Sequence, residues 1–238
     1  MRSEGCLPLS GSEYALPPAG KSPMISRLGT KGHMTTTWND YRIAGVLLLT
    51  GGIAFIIGAF SPPWEQWYSP LKRSLQVIGE HRTAWIWIHI WFVIGVVLTI
   101  LGTVAYAFAR AKTGTGALLP ALVATSFTIG AVLWLASIAF RLTVQVWAAG
   151  EVLTGDTIPA GYEAQHRFSG VLFAMYMALA YLACAGLGWD VLRTGLVARW
   201  AGWFSIAFGL SAGAVVGRNI PFFVHIPFMI VGVLLLRR

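Results

Sequence analysis

The sequence predicts an all-α fold, a polytopic membrane helix bundle of about six transmembrane helices. Hydrophobic residues make up 56% of the 238 residues and charged residues only 11%. With a mean hydropathy of +0.68, the chain has too few polar side chains to cover a water-soluble globule. The apolar residues also form long uncharged runs, as a helix needs to cross a hydrocarbon core about 30 Å thick.

Six such runs define the predicted spans. They cover residues 43–60, 85–108, 118–140, 168–189, 200–216 and 220–236. The last two are close to the accepted minimum of about 17 residues, and we favour two full spans over a hairpin that enters the membrane only partway. The transmembrane domain is therefore expected to occupy residues 41–238.

The N-terminal segment has a different composition. Residues 1–33 are rich in Ser, Gly and Pro and show no apolar periodicity. Burial there cannot offset the entropy lost on ordering the chain. We therefore expect a disordered cytoplasmic tail over residues 1–40.

The distribution of Lys and Arg predicts the orientation. If the six runs alternate in direction, eleven of the 17 Lys and Arg residues lie on the side of the two termini and six on the other. Cytoplasmic flanks carry the excess of positive charge, so both termini are predicted to be cytoplasmic. The net charge of +8 then reflects topology and anionic lipid headgroups, and no basic face suggests nucleic-acid binding.

The first outer loop is expected to contain a short interfacial helix. Pro70 can occupy a first helical turn, and Leu71, Leu75 and Ile78 then share one face. Because Trp67 precedes this stretch and tryptophan favours the membrane interface, we expect the helix to lie there.

The second outer loop is expected to consist mostly of turns. It runs from about residue 142 to residue 167 and contains Gly150, Gly155, Pro159 and Gly161. Glycine and proline at this density are typical of turns.

Two predicted spans carry small residues at every fourth position. These are Ser205, Gly209, Gly213 and Gly217 in the fifth span and Gly170, Ala174 and Ala178 in the fourth. Helices in lipid approach closely through such residues. Packing within one bundle is the favoured interpretation, and contact between copies in a homo-oligomer is the alternative.

Ionisable side chains at membrane depth are costly and are therefore candidates for function. The direction of the spans places His89, Arg141 and His225 at similar depth below the outer surface, with His166 at the start of the fourth span. We predict that these residues line an outward-facing ligand pocket. Trp91 and Trp147, together with Trp85, are predicted to form its walls.

Several ligands suit such a pocket, and simpler explanations also exist. Two imidazoles can hold a haem or a divalent metal, and a cation beside them suits the head of a quinone or an anionic lipid. Alternatively, the arginines extend to headgroups and each histidine is a neutral group bonded to a carbonyl. No zinc-protease, dithiol or serine-hydrolase motif occurs.

Three functional classes therefore stay open. We favour a membrane protein that binds or transports a small or lipid-soluble ligand. A membrane enzyme or redox protein that uses the histidine and arginine layer is the second class. A structural or assembly subunit of a membrane complex is the third.

Two segments resemble known proteins. Residues 42–52, RIAGVLLLTGG, and residues 192–203, LRTGLVARWAGW, are similar to uncharacterised six-span bacterial membrane proteins grouped as domains of unknown function. The resemblance extends over roughly residues 40–238. It implies a bacterial inner-membrane location and supplies no catalytic residues.

Overall fold

The structure, a computed structural model, describes residues 30–114, 116–215 and 221–237, and within these ranges the chain is all-helical. The α-helices are α1 (Thr30–Ala59), α2 (Leu71–Glu80), α3 (Arg82–Lys112), α4 (Leu118–Phe140), α5 (Val146–Gly155), α6 (Tyr162–Thr194), α7 (Arg199–Val215) and α8 (His225–Leu236). Short 3-10 helices cover Glu65–Trp67 and Pro221–Val224, and a π-helical turn, Arg141–Gln145, joins α4 to α5.

Four helical segments are long and apolar enough to cross a membrane. They are Asn39–Ala59, Arg82–Lys112, Leu118–Gly155 and Tyr162–Thr194. The expected all-α fold is thus confirmed, with four helices that could cross a membrane, and six spans stay a prediction. The helices that match the last two expected spans are shorter than these four segments: α7 has 17 residues and α8 has 12.

Two boundaries differ from the expected ones. Helix α1 begins at Thr30, so the end of the expected tail, residues 1–40, is helical, and residues 1–29 lie outside the described residues. The second outer loop is helical as far as Gly155. A glycine costs a helix only about 1 kcal/mol, and burial of Val146 and Val152 against α2 outweighs that cost.

Helix α2 confirms that the first outer loop contains an amphipathic helix. Leu75 and Ile78 share one face of the helix and are fully buried. That face packs against Val146 and Val152 of α5. The apolar side of α2 is therefore covered by protein, and its position in a membrane interface stays a prediction.

The long helices pack in a chain of neighbours. Helix α1 contacts α3 and α8, α4 contacts α3 and α6, and α6 contacts α7. Glycines allow the closest approaches: a Cβ atom on Gly95 would lie 2.7 Å from the backbone nitrogen of Phe55, and one on Gly188 would lie 2.5 Å from the carbonyl oxygen of Gly202. Any larger residue at these positions would force the helices apart.

The two small-residue stripes have different surroundings. In α7, Ser205 is buried, and a Cβ atom on Gly209 would lie 2.7 Å from the carbonyl oxygen of Tyr181. This stripe packs within the bundle, as favoured, although Gly217 lies outside the described residues. The stripe of α6 is exposed on the outside of the bundle, at Gly170, Ala174 and Ala178. Contact between copies through it stays a prediction.

A buried ion pair fixes one end of the bundle. Arg110 Nε lies 3.0 Å from Asp190 Oδ2, and the hydroxyl of Tyr106 donates to the same oxygen at 2.6 Å. The two charged side chains are only 5% and 3% exposed. Because Arg110 ends α3 and Asp190 lies near the end of α6, the pair holds these helix ends together.

The glycine contacts generate a stability prediction. Gly95→Val is expected to destabilise the protein by roughly 1–3 kcal/mol, since the added side chain meets the backbone of α1. Gly170→Val is the matched control, because a Cβ atom there meets open space, and its melting temperature should stay near wild type. Thermal unfolding in detergent measures both, and equal effects would show that the α1–α3 contact is not close.

Candidate functional site

His89 is a fully buried histidine with one unoccupied ring nitrogen. Its Nδ1 lies 2.8 Å from the carbonyl oxygen of Trp85, one turn earlier on α3. A carbonyl only accepts, so Nδ1 carries the proton and Nε2 of the neutral ring is left with a lone pair. Within the described part of the chain, Nε2 has no hydrogen-bond partner. The ring therefore presents an acceptor that no protein donor uses.

Arg141 supplies a positive charge to the same region. It begins the π-helical turn, and its guanidinium carbon lies 5.7 Å from the ring centre of Trp67 and 5.8 Å from that of Phe173. Its backbone carbonyl accepts a hydrogen bond from Trp85 Nε1 at 3.2 Å. Among the described residues no carboxylate forms an ion pair with this guanidinium. Aromatic faces thus hold the cation without neutralising it.

Two further buried polar side chains belong to this region, and the sequence analysis did not include them: Tyr162, on which the charge of Arg141 acts, and Gln66, which precedes Trp67 in the chain. The positive charge of Arg141 interacts electrostatically with the hydroxyl of Tyr162. This buried hydroxyl has no hydrogen-bond partner within residues 30–114, 116–215 and 221–237. Gln66, next to the ring that covers Arg141, is 5% exposed, and neither atom of its side-chain amide is paired there. We call Gln66, His89, Arg141 and Tyr162 the Arg141 cluster.

The loop that carries Gln66 is attached to α2. Arg73 Nε lies 2.9 Å from Glu65 Oε1, and this hydrogen bond is the main reason that the pKa of the Glu65 carboxyl is lowered. The hydroxyl of Ser74 donates to the backbone oxygen of Gln66 at 2.9 Å. Both contacts hold the 3-10 helix in place, and the ring of Trp67 on it packs at a tilt of 41° against that of Trp85, with ring centres 5.4 Å apart.

His225 differs from His89 because both of its ring nitrogens are bonded. The hydroxyl of Thr99 donates to the carbonyl of Gly95 at 2.8 Å and therefore accepts from His225 Nδ1 at 3.2 Å. The hydroxyl of Tyr176 then donates to Nε2 at 3.3 Å. Because its partners belong to α3 and α6, His225 links three helices, which indicates a structural role.

The two histidines do not lie at one depth, contrary to the sequence-based expectation. Thr99, the partner of His225, is ten residues beyond His89 on α3, about 15 Å along the axis. The reason is that α8 begins at His225, already inside the bundle. Phe92 and Phe55 connect the two imidazoles, with successive ring centres 5.7, 4.8 and 4.0 Å apart.

The other predicted site residues lie nearer the surface. His166 is exposed and stacks on Tyr162 at 5.8 Å, and the charge of Arg141 acts on it. Trp91 is half-buried and Trp147 is 51% exposed. His89, Tyr162 and His166 thus all lie within range of the charge of Arg141, whereas His225 lies apart from them, bonded to Thr99 and Tyr176.

An open groove lies on the surface of the segment that contains Tyr162, although Tyr162 itself does not line it. Its volume is about 660 Å³, and it is lined by residues between Ile158 and Arg167. Arg141 itself is half-buried. Arg141 is therefore partly accessible, whereas the other members of the Arg141 cluster and the imidazole of His225 are enclosed.

A metal centre has no matching set of ligands in the described ranges. No three His, Cys, Asp or Glu side chains come together there in a way that could hold a metal ion. Both nitrogens of His225 already have protein partners, so a haem between the two histidines would have to break one of these bonds. The groups that a ligand could use near His89 are its Nε2, which accepts a hydrogen bond, and the guanidinium of Arg141.

Comparisons with known proteins add no relative. No protein-family model matches the chain, and no curated protein or solved structure matches it. The resemblance to six-span bacterial membrane proteins therefore stays a prediction, and the function has to be argued from the fold and the Arg141 cluster.

The different bonding of the histidines predicts opposite effects on stability. His89→Leu should leave the melting temperature unchanged or raised, because it removes a buried unpaired nitrogen that costs about 1–3 kcal/mol. His225→Leu should lower it clearly, because Tyr176 and Thr99 each lose a buried partner. Thermal unfolding in detergent distinguishes the two. Similar losses in both variants would mean that His89 is as structural as His225.

Proposed function

We propose that this protein is a bacterial integral membrane protein with six membrane-embedded helices and cytoplasmic termini. In this proposal the Arg141 cluster binds the polar head of a lipid-soluble ligand. The observation that carries the proposal is the unpaired Nε2 of His89 beside a guanidinium that has no carboxylate partner in the described residues.

Unpaired buried polar groups are rare because each costs about 1–3 kcal/mol. Among the described residues, His89 and Tyr162 each leave one such atom close to Arg141, and Gln66, the chain neighbour of Trp67, leaves two more. A bound ligand that supplies the missing partners would remove this cost. Such concentrations of unpaired polar atoms favour a binding role over packing alone.

The chemistry of the cluster describes the ligand head. Nε2 of His89 accepts, so the ligand needs a hydroxyl or N–H donor. Arg141 only donates, so the ligand also needs a carbonyl or anionic oxygen. The flat faces of Trp67, Trp85 and Phe173 suit an aromatic or otherwise planar head.

The charges at the two ends support the orientation. Arg193, Arg199 and Arg237 lie at the end where α3, α6 and α8 finish and α7 begins. The acids at the other end include Glu65, Glu80 and Asp156, which pair with Lys72 and Arg73. The end that is richer in unpaired positive charge is the one expected in the cytoplasm.

A second candidate function is a structural subunit of a membrane complex. The observation in its favour is the exposed stripe of small residues on α6, at Gly170, Ala174 and Ala178. In lipid, such a face suits close contact with another helix.

The ligand proposal is tested by analysing what co-purifies with the protein. Wild-type protein extracted gently from its membranes should retain a lipid-soluble molecule in near-stoichiometric amount, measured by mass spectrometry. His89→Leu and Arg141→Gln should each reduce its occupancy at least tenfold, because each removes one of the two groups that recognise the head. Arg167→Gln is the matched control, since this arginine is 81% exposed.

Equal retention of the molecule in all four proteins would contradict the proposal. So would wild-type protein that carries no bound molecule beyond bulk membrane lipid. Thermal unfolding of the variants separates loss of binding from loss of folding.

The orientation is tested with single cysteines in a background that carries Cys6→Ser and Cys184→Ala. Gln76→Cys and Thr154→Cys should react with a membrane-impermeant maleimide added to intact cells. Arg193→Cys and Lys112→Cys should react only after the membrane is opened. The reverse pattern would contradict the argument from positive charge.

A further inference from the structure

We propose that the groove between α1, α7 and α8 binds one acyl chain of an anionic phospholipid, and that Arg237 holds the phosphate of its headgroup. The groove has a volume of about 340 Å³. Its lining is apolar except for Arg237: Ile56, Trp200, Ile226, Met229, Ile230, Val233 and Leu234 complete it.

The position of the groove follows from the antiparallel packing of α1 and α8. A Cβ atom on Gly45 would lie 2.8 Å from the carbonyl oxygen of Gly232, and one on Gly52 would meet the side chain of Met229. Ile56 therefore lies towards the start of α8 and Arg237 at its end. Arg237 is eleven residues beyond Ile226, about 16 Å along a helix, so the groove is long and narrow.

The polar groups of the groove lie at one end only. Trp200 belongs to the first turn of α7, which is at the end of the bundle where α8 finishes, and it is 56% exposed. Arg237 is also exposed. Tryptophan favours the headgroup level of a bilayer, and arginine binds phosphate through several N–H donors. A headgroup phosphate at this end and an acyl chain along the apolar lining satisfy both parts of the groove.

The shape of the groove favours an acyl chain over a helix. A helix is about 10 Å wide with its side chains, so a segment that matched the groove in length would need several times 340 Å³. Helix α8 has only 12 residues, about 18 Å, and contacts α7 only slightly. The apolar gap that results suits a single flexible chain from the lipid.

The charge of Arg237 selects the class of lipid. A guanidinium at the end of an apolar groove gains more from a headgroup with net negative charge than from a zwitterionic one. This inference does not rest on the ligand proposed for the Arg141 cluster, which lies at the opposite end of the bundle.

Native mass spectrometry of delipidated protein in detergent tests the proposal. Phosphatidylglycerol and phosphatidylcholine with the same acyl chains are added in separate titrations. Wild-type protein should bind one phosphatidylglycerol at least tenfold more tightly than phosphatidylcholine. Arg237→Gln should abolish the preference, and Ile230→Trp, which fills the groove, should reduce binding of both lipids.

Arg193→Gln is the matched control, because this exposed arginine lies at the same end and does not line the groove. It should keep the wild-type preference. The proposal is wrong if Arg193→Gln loses as much as Arg237→Gln, if the two lipids bind equally to wild type, or if Ile230→Trp binds both lipids like wild type. A dimer that disappears with Ile230→Trp would instead show that a second copy covers the groove. Melting temperatures confirm that the variants are folded.

Discussion

The constraint on which the structure depends is that a helix bundle in lipid has no water inside it. Every polar group among the helices must find a partner in the chain or in a ligand, or else carry the cost of burial. Two networks show how the chain meets this requirement. At one end, Asp190 accepts hydrogen bonds from Arg110 and Tyr106. In the other network, hydrogen bonds connect Tyr176 to His225, His225 to Thr99, and Thr99 to the backbone of α3. Each network also links helices that are far apart in sequence.

The exceptions to this rule are informative because they are unevenly distributed. Within the described residues, Trp134 and Tyr181 each leave one buried polar atom without a hydrogen-bond partner. By contrast, His89 and Tyr162 leave unpaired atoms close to the same cation, Arg141, and Gln66 does so beside Trp67 in the chain. The same constraint that makes His225 a structural residue therefore makes His89 a candidate for binding, although both are fully buried histidines.

Much of the fold was predictable from the sequence because the bilayer allows few solutions. Long uncharged runs predicted the helical fold, and period-3.6 patterning predicted α2. The extension to α5 was not predicted, because the glycines near Gly150 indicated turns, and the burial of Val146 and Val152 against α2 depends on a contact between distant segments. The depth of His225 was likewise unpredictable, since it depends on where α8 begins.

The candidate site was predictable only in part. Intramembrane His89 and Arg141 are rare residue types, so sequence reasoning found them. Gln66 and Tyr162 were missed because a glutamine or tyrosine in a loop or at a helix start is ordinary, and only their burial without hydrogen-bond partners in the described residues marks them. The pair of Arg110 and Asp190 was missed because its members are 80 residues apart, and hydropathy does not show which helices touch.

The most direct test of the central claim is an experimental density map of the protein, extracted with its native lipids, at a resolution that shows side chains and bound molecules. The account predicts non-protein density within hydrogen-bond distance of both His89 Nε2 and the Arg141 guanidinium, with His225 still bonded to Thr99 and Tyr176. A map in which Nε2 of His89 is bonded to a protein group, and Arg141 points away from it into the headgroups, would contradict the account.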